Sequence, residues 1–151
     1  MEILIANKDS DLTTNLSLTF NRFTPDWKLT IVDSGKECME KLEQGNCRDA
    51  IILGMKLSDT SGLDLLAQIR DDSDIPVIFI SHEKDSDLVV QIFNAGANDF
   101  FVKPFDEELF IASLKAMIRR RIWDIPIKGF NLMHKHKQGI GCQSSLGKSD
   151  N

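Results

Sequence analysis

Asp49-Ala50-Ile51-Ile52-Leu53-Gly54 is apolar nearly from end to end, with no alternation of polar and apolar side chains. A strand with one wet face alternates, because successive side chains point to opposite faces; a strand buried on both faces does not. The run therefore predicts a strand of a parallel sheet that is covered by helices on both sides. Glu2-Ile3-Leu4-Ile5-Ala6 and Pro76-Val77-Ile78-Phe79-Ile80-Ser81 have the same character.

Helical periodicity fills the intervals between these runs. Leu12, Leu16, Phe20 and Phe23 recur at spacings of three to four and form one helical face, which Pro25 ends. Residues 28–33 read as a second strand. Ser34-Gly35-Lys36-Glu37 then has the pattern of a capping box, in which the serine hydroxyl and the glutamate satisfy orphan amides, and Gly45 suits the helix end. Residues 62–70 predict a third helix with Leu66 and Ile69 inward, and residues 85–95 a fourth that Gly96 closes. Residues 100–103 form a fifth strand, and Asp106 opens a last helix with the apolar stripe Phe110, Leu114, Met117 and Ile118.

Five strand-then-helix units imply an α/β doubly wound (βα)5 sandwich with a parallel five-stranded sheet in the order 2-1-3-4-5. Its ligand crevice lies at the carboxyl ends of strands one and three. After Arg121 the pattern fails: Pro126 stops any helix, and the residues from Gly129 onward mix Gly, Ser, Lys, His and Gln without periodicity. Residues 1–121 thus make one domain and residues 122–151 a flexible basic tail or linker, too short for a second fold.

The composition, 42% hydrophobic and 27% charged, is that of an ordinary globular protein. No apolar run spans a bilayer and no basic n-region precedes the first strand, so a cytoplasmic protein is expected. Cys38, Cys47 and Cys142 have neither CxxC spacing nor companion histidines, which suggests reduced thiols rather than disulfides or zinc. With four lysines against two aspartates, residues 122–151 carry +2, so residues 1–121 hold −7 of the net −5. An acidic body gives no electrostatic support for DNA binding. The run His134-Lys135-His136-Lys137 reads as a solvated basic stretch of the tail, and Arg119-Arg120-Arg121 as cations that favour the negative end of the last helix.

Two stretches carry a resemblance. Gly54-Met55-Lys56-Leu57-Ser58-Asp59-Thr60-Ser61-Gly62-Leu63 and Phe101-Val102-Lys103-Pro104-Phe105 resemble the most recognisable segments of a bacterial response-regulator receiver domain, whose fold is flavodoxin-like. The resemblance covers residues 2 to about 121. In that family an acidic pair ends strand one and holds magnesium, and an aspartate ending strand three is phosphorylated. A Ser or Thr ends strand four, and a lysine followed by proline ends strand five. The corresponding residues here are Asn7 and Lys8, Gly54, Ser81, and Lys103 with Pro104. Phe100, three residues before that lysine, matches the family's switch aromatic.

Moving a phosphoryl group onto a protein requires an in-line carboxylate, a hard cation and fixed donors for the charge. Magnesium takes oxygen ligands, commonly one or two carboxylates with waters. By the resemblance, Gly54 removes the nucleophile, Asn7 replaces one acid by a neutral amide, and Lys8 replaces the other by a cation. No metal and no cofactor is expected. The retained donors are Ser81 and Lys103. A lysine at position 8 within a few ångströms of Lys103 would repel it by about 1–4 kcal/mol unless an anion or Asp9 intervened. Two outcomes stay open: Lys8, Ser81 and Lys103 hold a small anion, or Lys8 points to solvent and Asp9, Asp11 or Asp59 neutralises the site. Phosphorylation of Asp59 instead is not expected, since it lies five residues past Gly54 and an in-line nucleophile must be placed to about an ångström. Ser81 has a second reading as a cap of the fourth helix.

The reading that follows is a degenerate, phosphorylation-independent receiver, a protein–protein interaction module of a two-component or phosphorelay pathway rather than an enzyme. Its partner is a kinase, an output protein or a second copy, met through the fourth helix, fifth strand and fifth helix. That face would present Asp85, Asp87, Gln91, Asn94, Glu108, Lys115 and Arg119, a mixed-charge surface. The alternative is the N-terminal regulatory part of a larger regulator with a DNA-binding or enzymatic output domain. A flavin protein of the same strand order is disfavoured, because Asn7-Lys8-Asp9-Ser10-Asp11 lacks a glycine- and hydroxyl-rich phosphate cradle.

Overall fold

The computed structural model describes residues 1–44 and 48–127, with side chains as far as Arg121. Gly45, Cys47, Cys142 and the basic stretch at residues 134–137 lie outside the described residues. The elements alternate as expected: β1 (Glu2–Ala6), α1 (Ser10–Phe23), β2 (Lys28–Val32), α2 (Gly35–Glu43), β3 (Ala50–Gly54), α3 (Gly62–Asp72), β4 (Val77–Ser81), α4 (Ser86–Asn94), β5 (Asp99–Val102) and α5 (Glu107–Ile127). The strands pair in parallel in the order β2-β1-β3-β4-β5. The register sets Ala6 beside Leu53 and Gly54 beside Ile80. The carboxyl ends of β1, β3 and β4 therefore finish at one rim, and Asn7, Gly54 and Ser81 stand on it.

The unbroken apolar runs divide their side chains between two cores. Ile3, Ile5, Ile52, Ile78 and Ile80 meet Leu16 and Phe20 of α1 and Phe110 and Leu114 of α5 on one face. Leu4, Ile51, Leu53, Val77 and Phe79 meet Leu65, Leu66 and Ile69 of α3, Cys38 of α2 and Ile92 of α4 on the other. Each such side chain taken out of water contributes about 1.5–3 kcal/mol, which is why both faces of the central strands had to be apolar. The outer strands are less constrained. β5 is half-buried throughout, and Ile31 of β2 is 45% exposed.

Local chemistry closes the helices. Asp9, Ser34, Ser61 and Asp85 each accept backbone N–H groups at a helix start. At α2 only half of the expected box forms: Ser34 Oγ accepts from Glu37 N at 3.0 Å. Asp59, from the loop after β3, supplies the other acceptors. Its two carboxylate oxygens take the N–H groups of Gly35 at 2.7 Å and Lys36 at 3.1 Å. At the start of α3 a side chain has no room, because a Cβ on Gly62 would overlap the carbonyl oxygen of Gly54 and lie 2.9 Å from the Phe79 ring.

The last helix corrects one expectation. α5 runs six residues beyond Arg121 and includes Pro126 as its penultimate residue. A proline lacks an N–H and crowds the carbonyl four residues before it, so the damage falls on the last turn of α5, and the helix ends one residue after Pro126. Arg119, Arg120 and Arg121 are consequently mid-helix rather than at its negative end. Arg121 instead pairs with Asp74 at 3.1 Å, tying α5 to the α3–β4 loop.

The bonds from Gly35 and then Lys36 hold the Asp59 carboxyl below its usual value of 3.8. A carboxylate depressed in the folded state contributes stability above its unfolded pKa, and that contribution disappears as pH falls through the folded value. Chemical denaturation should therefore show the Asp59→Asn protein losing less stability than wild type between pH 5 and about pH 2. Equal losses in the two proteins would refute this role for Asp59.

Candidate functional site

The rim at the ends of β1, β3, β4 and β5 gathers the residues singled out in the sequence. Asn7 continues the β1–β2 ladder through its N–H, which donates to Val32 O at 3.1 Å. Its side chain turns back: Oδ1 accepts from Asp9 N at 2.8 Å, and the residue is only 7% exposed. The carboxamide comes to rest against the end of β3. A Cβ built on Gly54 would lie within 2.8 Å of its nitrogen, carbon and oxygen atoms alike. Real Cβ atoms do not approach so closely, so a side chain at position 54 and this Asn7 conformer exclude one another.

Lys8 follows and is exposed; its backbone N–H reaches Lys56 O at 3.3 Å. Ser81, at the end of β4, is 6% exposed, and its hydroxyl accepts from Glu83 N at 3.0 Å. That bond uses an acceptor lone pair and leaves the hydroxyl proton free to donate. It also corrects the capping alternative, because the N-cap of α4 is Asp85, which accepts from Asp87 N at 3.0 Å. Lys103 is half-buried after β5 and joined to Ser81 by its N–H, which donates to Ser81 O at 2.8 Å. The peptide from Lys103 to Pro104 is cis.

Strand order decides how these groups meet. Ser81 and Lys103 end neighbouring strands. Lys8 and Lys103 are separated by β3 and β4, so their backbones stand on the order of 14 Å apart at three strand spacings. Only extended side chains bring the two ammonium groups near each other. Phe100 is half-buried against the α2–α3–α4 core, whereas Phe101 faces the opposite core and stacks edge-on to Phe110, with centroids 5.2 Å apart.

The acids near the rim have other work. Asp59 is committed to the start of α2, which removes it as an in-line group over Gly54. Asp9 Oδ1 accepts from Asp11 N at 2.9 Å and Leu12 N at 3.2 Å, while Oδ2 meets His82 Nε2 at 3.1 Å. The His82 bond, followed by that from Leu12, holds the Asp9 carboxyl below the usual 3.8. His82 thus faces Asp9 and not Ser81, so the adjacent Ser81-His82 pair does not make a nucleophile with its base. His82 carried no periodicity or motif that would have marked it beforehand.

The donor set does not fit magnesium. The two positions beside β1 offer an amide and an ammonium, Gly54 offers no side chain, and Asp9 is occupied by a helix start and a histidine. Among the described residues no group of three or more His, Cys, Asp and Glu stands together as a metal site. No described helix is long and apolar enough to cross a membrane.

Comparison with known proteins agrees with this architecture. Residues 3–115 match the family model described as the response regulator receiver domain. Response regulator ArlR of Staphylococcus saprophyticus subsp. saprophyticus is 32% identical over 120 residues, covering 80% of this chain and 53% of that protein. Transcriptional regulatory protein KdpE of Staphylococcus aureus is 32% identical over 120 residues, covering 78% of this chain and 48% of that protein. The chain thus spans about half the length of these relatives. A crystal structure of a two-component response regulator from Clostridium difficile superimposes with a TM-score of 0.73 at 26% identity, over 80% of this chain and 98% of that one. From the strand order, the rim residues and these matches, the chain belongs to the response-regulator receiver domain family of two-component signalling.

Proposed function

We propose that this receiver domain works without being phosphorylated, as a protein–protein interaction module of a two-component or phosphorelay pathway. The observation that carries this reading is the Asn7 carboxamide occupying the space that a residue-54 side chain would need. The nucleophile's position is thereby filled by a neutral group, and the neighbouring acids are spent on helix starts. No enzymatic step is assigned to the domain.

The partner, a kinase, an output protein or a second copy, would meet α4, β5 and α5. All seven polar residues expected on that face are exposed. α4 adds an apolar element that the charge pattern did not suggest, since Val90 is 55% and Phe93 43% exposed. Apolar side chains ringed by Asp87, Gln91 and Asn94 suit a mixed interface with a small apolar centre. A second reading, the regulatory half of a larger regulator with an output domain beyond residue 121, is favoured by the coverage of about half of the relatives. The length of the native gene product distinguishes the two.

Light scattering on the purified chain, with and without acetyl phosphate and magnesium, should give the same mass in both conditions. A dimer that forms only with the phosphodonor would contradict the proposal.

The close approach at Gly54 gives a second expectation. Gly54→Asp should destabilise the fold by about 1 kcal/mol, because the contested atoms are the end of the Asn7 side chain, which gives up its bond to Asp9 N to move aside. Adding Asn7→Ala should recover part of that loss in urea denaturation, because it empties the contested space. Additive losses in the double variant would show that the two positions do not compete.

The retained pair Ser81 and Lys103, with Lys8 extending from β1, is where a small anion such as phosphate would be held. Calorimetry should show phosphate binding heat for wild type and none for Lys103→Ala. Absence of heat in both would leave Lys8 and Lys103 as solvated side chains.

A further inference from the structure

The Asp9–His82 contact joins two loops that the sheet keeps apart. Asp9 follows β1 and His82 follows β4, with β3 between them, so the pair crosses the rim directly over the end of β3 and spans 73 residues of sequence. We propose that it is a positioning clasp, which ties the β4–α4 loop to the start of α1 and fixes where α4 begins without any bound group. This goes beyond the proposed function, because it assigns the coupling between the rim and the α4 face to two side chains of the chain itself.

Three features of the structure support the assignment. First, Asp9 is already ordered: Oδ1 is held by Asp11 N and Leu12 N, which leaves Oδ2 aimed at His82. An exposed side-chain contact is ordinarily weak because ordering two side chains offsets the attraction, and here one of them is ordered by the helix it caps. Second, the path from His82 to α4 is short and itself bonded. Glu83 N donates to Ser81 Oγ, and Asp85 is the N-cap of α4. Holding His82 therefore sets the cap position within one turn of chain. Third, α4 needs such a hold. Ile92 is its one buried residue, and its surface carries the exposed Val90 and Phe93. With Leu88 only partly buried beside Ile92, this nine-residue helix has few core contacts of its own, the condition under which a segment opens locally.

Side-chain exposures of 62% for His82 and 40% for Asp9 keep the pair in contact with solvent, so the effect is local and modest rather than global. The variants can be chosen to separate the clasp from the cap. Asp9→Asn keeps an oxygen for Asp11 N and Leu12 N, since asparagine caps helices as well as aspartate does, but loses the charged partner of His82. His82→Ala leaves the α1 cap untouched.

Amide hydrogen exchange on the full chain is the test. Each single variant should speed exchange across residues 83–89 by about two- to five-fold, the double variant should be no faster than the singles, and the amides of Asp11 and Leu12 should be unchanged. Unchanged exchange at residues 83–89 in His82→Ala, or additive acceleration in the double variant, would overturn the clasp. Because no phosphodonor is present, that failure would leave the phosphorylation-independent reading standing.

Discussion

The rim takes its character from one packing constraint: the carboxamide of Asn7 and a side chain at position 54 cannot share the space at the end of β3. Glycine at 54 lets Asn7 fold inward, where it is 7% exposed and bonded to Asp9 N. That bond shapes the turn into α1, which places Asp9 as its cap, and Asp9 in turn faces His82. A chain of short contacts thus runs from β3 through β1 and α1 to the loop before α4. None of its links requires a metal or an anion.

The neighbouring acids are explained by the same economy of local structure. Asp59, which follows the apolar β3 run, is used to satisfy the first amides of α2. Its carboxylate is a structural acceptor between two loops. Ser81 and Lys103 remain at neighbouring strand ends with donors to offer, while α4, β5 and α5 present the surface on which the proposed interaction depends. Val90 and Phe93 give that surface a small apolar part beside its polar residues.

The architecture was legible because burial on both faces forces continuous apolar runs. β1, β3 and β4 stood out for that reason, and the strand order followed from five strand–helix repeats. The rim positions were legible as well, since Asn7, Gly54, Ser81 and Lys103 each sit at the end of a recognisable strand. Less was visible where contacts join distant segments. Nothing in the sequence linked Asp59 to Gly35, 24 residues earlier, or His82 to Asp9. The extent of α5 was less legible, because the apolar stripe ends at Ile118 and a proline marks only roughly where a helix stops: α5 ends one residue after Pro126. The exposed Val90 and Phe93 were hidden for a related reason: an apolar residue on a short helix looks the same whether it faces the core or the solvent.

Intact-mass spectrometry of the chain after incubation with acetyl phosphate and magnesium addresses the central claim most directly. With Asn7 over Gly54 and the nearby carboxylates engaged elsewhere, the mass should be that of the unmodified chain. A covalent phosphate on any aspartate of the rim, above all Asp9 or Asp59, would contradict the account.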